Sequence, residues 1–201
     1  MSGADVSVAT QRPAAERPGA DERRSRPLGE LLPRGRRAFV VTAVSAALVA
    51  AGFARYGWSG WALVGLVFCP VLVLLASIDL EHRILPNRLV LPAAAVVTAI
   101  VGISQPDNFV THLVAGVALG ALFFAIGAIF PGSIGMGDAK LGLLLGLALG
   151  TKTFAAVEIA LLAVVVVALY LIFTRGMSAR KQTIPFGPFL ALGGIIGFFL
   201  V

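Results

Sequence analysis

One cysteine in 201 residues, Cys69, sitting inside an apolar run, excludes a disulfide framework and a multi-cysteine zinc site. Charge is scarce as well. Asp, Glu, Lys and Arg make up 13% of the chain, about half the share of a soluble domain. Acids are the rarer sign: there are 10 against 16 basic residues, and beyond residue 37 only Asp79, Glu81, Asp107, Asp138 and Glu158 remain. With charge scarce, 58% of the residues are hydrophobic and the mean hydropathy is +0.94. An ordinary soluble domain is excluded. The fold class this implies is an all-α, polytopic transmembrane helix bundle. A net charge of +6 would suit a nucleic-acid partner. But half of the basic residues lie in the first 37 positions and the others flank apolar runs, so they read as topology signals and no nucleic-acid partner is expected.

Residues 1–37 are rich in Arg, Pro, Ala and Glu and carry no aromatic residue. Such a segment has too little apolar surface to order itself, and it is expected to be a disordered, basic, cytoplasmic tail. Residues 38–201 form the membrane domain. A span takes roughly 20 residues, and spans are expected near 38–55, 60–80, 88–104, 109–130, 138–151, 153–174 and 184–201. That is about seven, with the fifth short. Turn chemistry marks the breaks at Trp58-Ser59-Gly60, Leu85-Pro86-Asn87, Gln105 to Asn108, and Pro131-Gly132-Ser133. Arg34, Arg36 and Arg37 also resemble a twin-arginine export signal. They read more simply as the inner anchor of the first span, since many spans follow.

Cytoplasmic loops of membrane proteins carry an excess of Lys and Arg. With the N-terminus inside, the inner segments hold the tail arginines, Arg83, Arg88, Lys140, Arg175, Arg180 and Lys181, and the outer ones only Arg55 and Lys152. Asp79 and Asp138 then both fall at cytoplasmic ends of spans. Gly142, Gly146 and Gly150 recur every fourth residue, as do Gly116 and Gly120, and Gly193 and Gly197. Small residues at that spacing let helix backbones approach closely in lipid, so the fifth span is expected at the centre of the bundle.

Of the five acids, Asp107 reads as a turn residue and Glu81 as solvated. Glu158, inside the sixth span, has no second acid on its side to work with and reads as structural. Asp138 taken alone reads as a helix N-cap, favoured there by the dipole. Asp79 ends the second span, where the dipole disfavours a carboxylate, and so needs another reason. Two aspartates at one depth on different helices supply it. Such a pair shares a proton, one member acting as base and the other as acid, and can activate water without metal or a covalent intermediate. The dipoles place the resting negative charge on Asp138 and the shared proton on Asp79. Gly135 and Gly137 leave room for a ligand backbone beside Asp138. Lys140 reads either as snorkelling to headgroups or as touching substrate.

Three stretches carry a resemblance. "GMGD" followed by "AKL" reads as GxGD-x-KL, "SIDLEHRILPNRL" puts a proline seven residues after an aspartate, and "IPFGPFLALGG" stands near the end. In that order, between spans, they are similar to the prepilin peptidases, the type IV leader peptidase family of GxGD aspartic proteases, over about residues 60–201. The resemblance implies an enzyme of the cell inner membrane that removes the short basic leader from type IV prepilin-like precursors, pilins or pseudopilins, at the cytoplasmic face. It implies Asp79 and Asp138 as the catalytic pair. It adds Gly135, Gly137, Lys140, Pro86, Pro185, Phe186, Gly187 and Pro188 as supporting residues, with no metal and no cofactor. The last four read either as shaping the substrate groove or as a rigid entry turn. The partners implied are the precursor and the lipid bilayer. Long family members carry a loop with paired cysteines and also methylate the new N-terminus. The single membrane cysteine of this chain leads to an expectation of peptidase activity alone. Two rivals stand: a presenilin-like GxGD protease, disfavoured by "IPFGPFL" where a PAL motif is expected, and a proton-coupled transporter, disfavoured because both acids lie at one face.

Overall fold

The computed structural model describes residues 27–130, 135–175 and 185–200. Arg180, Lys181, the Pro131-Gly132-Ser133 turn and the tail up to residue 26 lie outside the described residues. Eight α-helices and two single-turn 3-10 helices follow one another there, with no strand among the described residues. They are α1 (Leu28–Leu31), α2 (Arg36–Tyr56), α3 (Gly60–His82), α4 (Asn87–Ser104), α5 (Phe109–Ile129), α6 (Met136–Leu149), α7 (Thr153–Arg175) and α8 (Gly187–Phe199). Pro106–Asn108 and Gly150–Lys152 are the 3-10 turns.

Helical stretches long and apolar enough to cross a membrane are Arg36–Tyr56, Gly60–His82, Asn87–Ser104, Pro106–Ile129 and Met136–Thr174. The last is two helices. Gly150, at φ +58°, ends α6 with its N–H bonded to the Gly146 carbonyl, and the chain turns back. The reversal follows from the neighbours. α8 runs parallel to α6, Gly194 packing on Leu145 and Gly197 on Leu149. α8 runs antiparallel to α7, where Gly193 and Gly197 rest on Ala156 and Ala160. The seven expected spans therefore appear as seven helices, but two are short. α6 has 14 residues and α8 has 13, about 20 Å each at ~1.5 Å rise per residue, against a hydrocarbon core of ~30 Å.

These two short helices hold the centre. α6 buries Leu141, Gly142, Leu144, Leu145 and Gly146, and α8 buries Leu190, Ala191, Gly193, Gly194, Gly197 and Phe198. Glycine makes this possible. A Cβ on Gly146 would stand 2.3 Å from the Gly116 Cα on antiparallel α5, so the two backbones touch. At the end away from Asp79, the Phe198 ring fills the space over Gly65, where a Cβ would come within 2.5 Å of it, and the Tyr56 hydroxyl donates to the Phe198 carbonyl at 2.7 Å. Gly146→Ala puts backbone against backbone with no side chain able to yield. Overpacking of this kind costs about 1–3 kcal/mol, so its thermal transition in detergent is expected several degrees below wild type. Gly52→Ala, whose added carbon meets nothing nearer than 3.8 Å, is expected to be neutral in the same measurement.

Residues 28–37 were part of the segment expected to be disordered. The structure instead gives Leu28–Leu31 a helical turn and begins α2 at Arg36. The physical reason is burial: Leu31 is 3% exposed, and ordering a short turn is offset by removing a leucine from solvent.

Candidate active site

The C-terminal end of α3 and the N-terminal ends of α4, α6 and α8 meet at one end of the bundle. Asp79 stands in the last turn of α3 and is buried, at 6% exposure. Asp138 stands in the first turn of α6 and is half-buried. Both line one cavity of about 300 Å³, together with Arg83, Leu85, Pro86, Asn87, Arg88, Gly135, Met136, Gly137 and Lys140. The charge of Asp79 acts on Asp138, and the charge of Arg83 acts on Asp79.

Asp138 is not the N-cap. Gly135 occupies that position, and Asp138, three residues into the helix, reaches back so that its Oδ2 accepts the Gly135 N–H at 3.1 Å. This is one half of a capping box, since glycine has no side chain to return the bond. The helix terminus still meets a carboxylate, but from inside the first turn, which leaves Asp138 at the cavity. Asp79 also meets a helix terminus, which the sequence reading missed. The first residue of α8 abuts it: Gly187 directs its backbone N–H to the carboxylate, and a Cβ on Gly187 would come within 2.5 Å of Oδ2. Asp138 faces the N-terminus of α6 alone, whereas Asp79 stands at the C-terminus of α3 and at the N-terminus of α8, so the two dipoles at Asp79 oppose each other.

The glycines divide their roles. Gly137 has ordinary helical backbone, and the place of its missing side chain is taken by Leu85, whose Cβ would lie 2.8 Å from an added carbon. Its room serves packing of the α3–α4 connection against α6. Gly135 is exposed at φ −78° and faces only Asp138, and it alone matches the expected open approach beside that carboxylate. Arg83 has the one positive φ among described non-glycine residues, 54°, and its N–H caps α3 at the Asp79 carbonyl. That left-handed residue turns the chain sharply, so that Leu85 and Pro86 pass over the cavity before Pro86 opens α4.

Lys140 reaches across the cavity mouth and donates to the Asn87 side-chain carbonyl at 2.7 Å, tying the first turn of α6 to the first turn of α4. Asn87 had been read only as turn punctuation, and its amide was the available signal. Pro185, Phe186, Gly187 and Pro188 are not among the residues lining the cavity. Phe186 precedes α8 and sets its ring edge-on to Phe123 of α5, 5.9 Å between centroids, with Pro188 in the first turn. They build the entry turn that delivers Gly187 to Asp79. Glu158 is exposed on α7, in the half of that helix nearer the opposite end. Among the described residues no group of three or more His, Cys, Asp and Glu side chains converges to hold a metal ion.

An arrangement of two carboxylates around a cavity that admits water suits addition of water to a polarised carbonyl. Comparison with known proteins points the same way. Residues 66–173 match the type IV leader peptidase family. The prepilin leader peptidase/N-methyltransferase of Bacillus subtilis (strain 168) is 35% identical over 158 residues, covering 77% of this chain and 62% of the relative. That of Burkholderia pseudomallei (strain 1026b) is 34% identical over 171 residues, covering 81% and 54%. The type 4 prepilin-like proteins leader peptide-processing enzyme of Escherichia coli O78:H11 (strain H10407 / ETEC) is 29% identical over 150 residues, covering 71% and 53%. The chain thus spans little more than half the length of these curated relatives. No solved structure matches it significantly.

Proposed function

The chain belongs to the type IV leader peptidase family, and from that premise we propose that it is a membrane aspartic endopeptidase that removes the short basic leader from prepilin-like precursors. The observation that carries the reading is the meeting of Asp79 and Asp138, from two helices 59 positions apart in sequence (138 − 79), on one cavity. The ionised carboxylate takes a proton from water while the oxygen adds to the scissile carbonyl carbon. The protonated partner hydrogen-bonds to the carbonyl oxygen as negative charge develops there. Collapse of the tetrahedral adduct breaks the C–N bond, and the departing amide nitrogen takes up a proton from the pair. Gly187 and Gly135 hold the two carboxylates by backbone N–H groups. Lys140 and Asn87 fix the mouth, and Arg83 balances the negative charge.

The site end carries Arg36, Arg37, Arg83, Arg88 and Lys140, the other end Arg55 and Lys152. That bias supports an inner-membrane protein with its N-terminus and its site on the cytoplasmic side. The substrate class in keeping with this placement is a peptide bond just outside the membrane, ahead of an apolar helix that stays in the bilayer. The reading is confined to peptide cleavage, in keeping with the single cysteine.

The full chain in lipid nanodiscs, mixed with a pilin-like precursor, is expected to yield two products by mass spectrometry, the leader and a mature chain that begins at the apolar helix. An uncut precursor, or cuts within the helix, would refute the proposal, the latter in favour of an intramembrane protease.

A further inference from the structure

α2 is thinly packed, with only Gly52 of its 21 residues buried. It meets α8 at the end away from Asp79, where the Tyr56 hydroxyl reaches the Phe198 carbonyl. Toward the site end the two helices leave a cleft of about 570 Å³ between them, floored by α3 and sharing no lining residue with the cavity of the two aspartates. The depth of the cleft is apolar, lined by Val41 of α2, Ala76 of α3 and Leu192 of α8 among others. Its rim is charged. Arg36 and Arg37, in the first turn of α2, stand there with Glu81, in the last turn of α3. Arg37 is ion-paired to Glu81, which holds its guanidinium at the rim, and Arg36 has no ion-pair partner among the described residues. The rim thus carries two positive charges against one negative. Ser77, half-buried and one turn deeper on α3, brings a hydroxyl to the same cleft.

We propose that this cleft seats an anionic phospholipid from the leaflet at the site end, with its phosphate on Arg36 and Arg37 and an acyl chain laid along α3 between α2 and α8. A guanidinium matches a phosphate in charge and in the geometry of its paired donors. Ser77 lies at the depth where headgroup gives way to chain, and its hydroxyl can donate to an ester carbonyl there. The chain covers the apolar depth, as burial of apolar surface favours. The charge of the rim selects the class of occupant. A zwitterionic headgroup would bring its own cation to the arginines, and a peptide helix led by basic residues would bring like charge. Pro188 lines the cleft and is the neighbour of Gly187, which touches Asp79. A seated lipid therefore ties α2 to the first turn of α8.

Native mass spectrometry of the full chain in a neutral detergent, titrated with phosphatidylglycerol or with phosphatidylcholine of the same acyl chains, tests this without any substrate, so the site stands or falls apart from peptide cleavage. Wild type is expected to retain one phosphatidylglycerol on the order of ten-fold more tightly than phosphatidylcholine, and to gain thermal stability from phosphatidylglycerol alone. Arg36→Gln, at an exposed position, is expected to cut the preference about five-fold with the lipid-free thermal transition near wild type. Leu192→Trp, at 46% exposure, fills the cleft and is expected to lower retention of both lipids, whereas Leu113→Trp, exposed on α5 and outside the cleft, is expected to lower neither. Equal retention of the two lipids by wild type, an unchanged preference in Arg36→Gln, or unchanged retention in Leu192→Trp overturns the site. A thermal gain matched by inorganic phosphate overturns it too, in favour of a plain anion site. So does Leu192→Trp keeping its lipid while the KM for a pilin-like precursor rises, which would give the cleft to the precursor's helix.

Discussion

Asp79→Asn and Asp138→Asn are each expected to lower precursor turnover by about 10²–10⁴-fold, the range that positioned acid–base groups contribute. Asparagine keeps the shape and accepts the same backbone N–H bonds, from Gly187 to position 79 and from Gly135 to position 138. The fold is therefore expected to survive, with thermal transitions near wild type. Neither amide can take a proton from water or hand one to a leaving nitrogen. On the proposed mechanism the two carboxylates act as one unit, so the double variant is expected to be scarcely worse than either single one. Multiplying losses, or a single variant that retains more than about a tenth of wild-type turnover, would contradict the shared role. The pair's pH profile belongs to both groups together.

Gly187→Ala is the second large effect, and it comes from a residue outside the cavity lining. The added carbon would stand 2.5 Å from Oδ2 and 3.0 Å from Cγ of Asp79. The helix cannot retreat easily, since Gly193 and Gly194 further along α8 are packed against Ala156 and Leu72. The carboxylate has to swing away. A misplacement of about 1 Å in a catalytic group costs on the order of 10²-fold, so kcat is expected to fall by that factor with KM little changed. Gly135→Ala, whose added carbon meets Asp138 only at 3.3 Å, is expected to lose far less. If the two alanine variants were equally active, the bracing of Asp79 by α8 would not matter to the reaction.

Hydropathy made the helices legible, since a chain in lipid must satisfy its backbone within each helix and keeps long apolar runs for that purpose. The glycines spaced by four placed α6 at the centre correctly, because close approach has few other solutions. What stayed hidden was which termini meet. Nothing in the run "IPFGPFL" says that Gly187 faces Asp79, and nothing in "LPNR" says that Asn87 receives Lys140. Those pairings depend on the crossing of helices far apart in the chain. Leu31 escaped notice because a short Leu-Gly-Glu-Leu-Leu stretch between arginine- and proline-rich segments leaves no periodic mark. Asp138 was read one turn out of place, since an aspartate beside a glycine suits both the cap and the third helical position.

The contact between Gly187 and Asp79 also sets a schedule. A ribosome adds roughly 5–20 residues per second, and Gly187 lies 108 positions after Asp79 (187 − 79). During elongation the aspartate is thus made several seconds or more before the glycine that braces it. Over that interval α3 can insert and pair with its early neighbours while the carboxylate stands unsupported. On the proposed mechanism, competence for cleavage arrives with the docking of α8, and a nascent chain halted before that helix is expected to carry both acids without a working site.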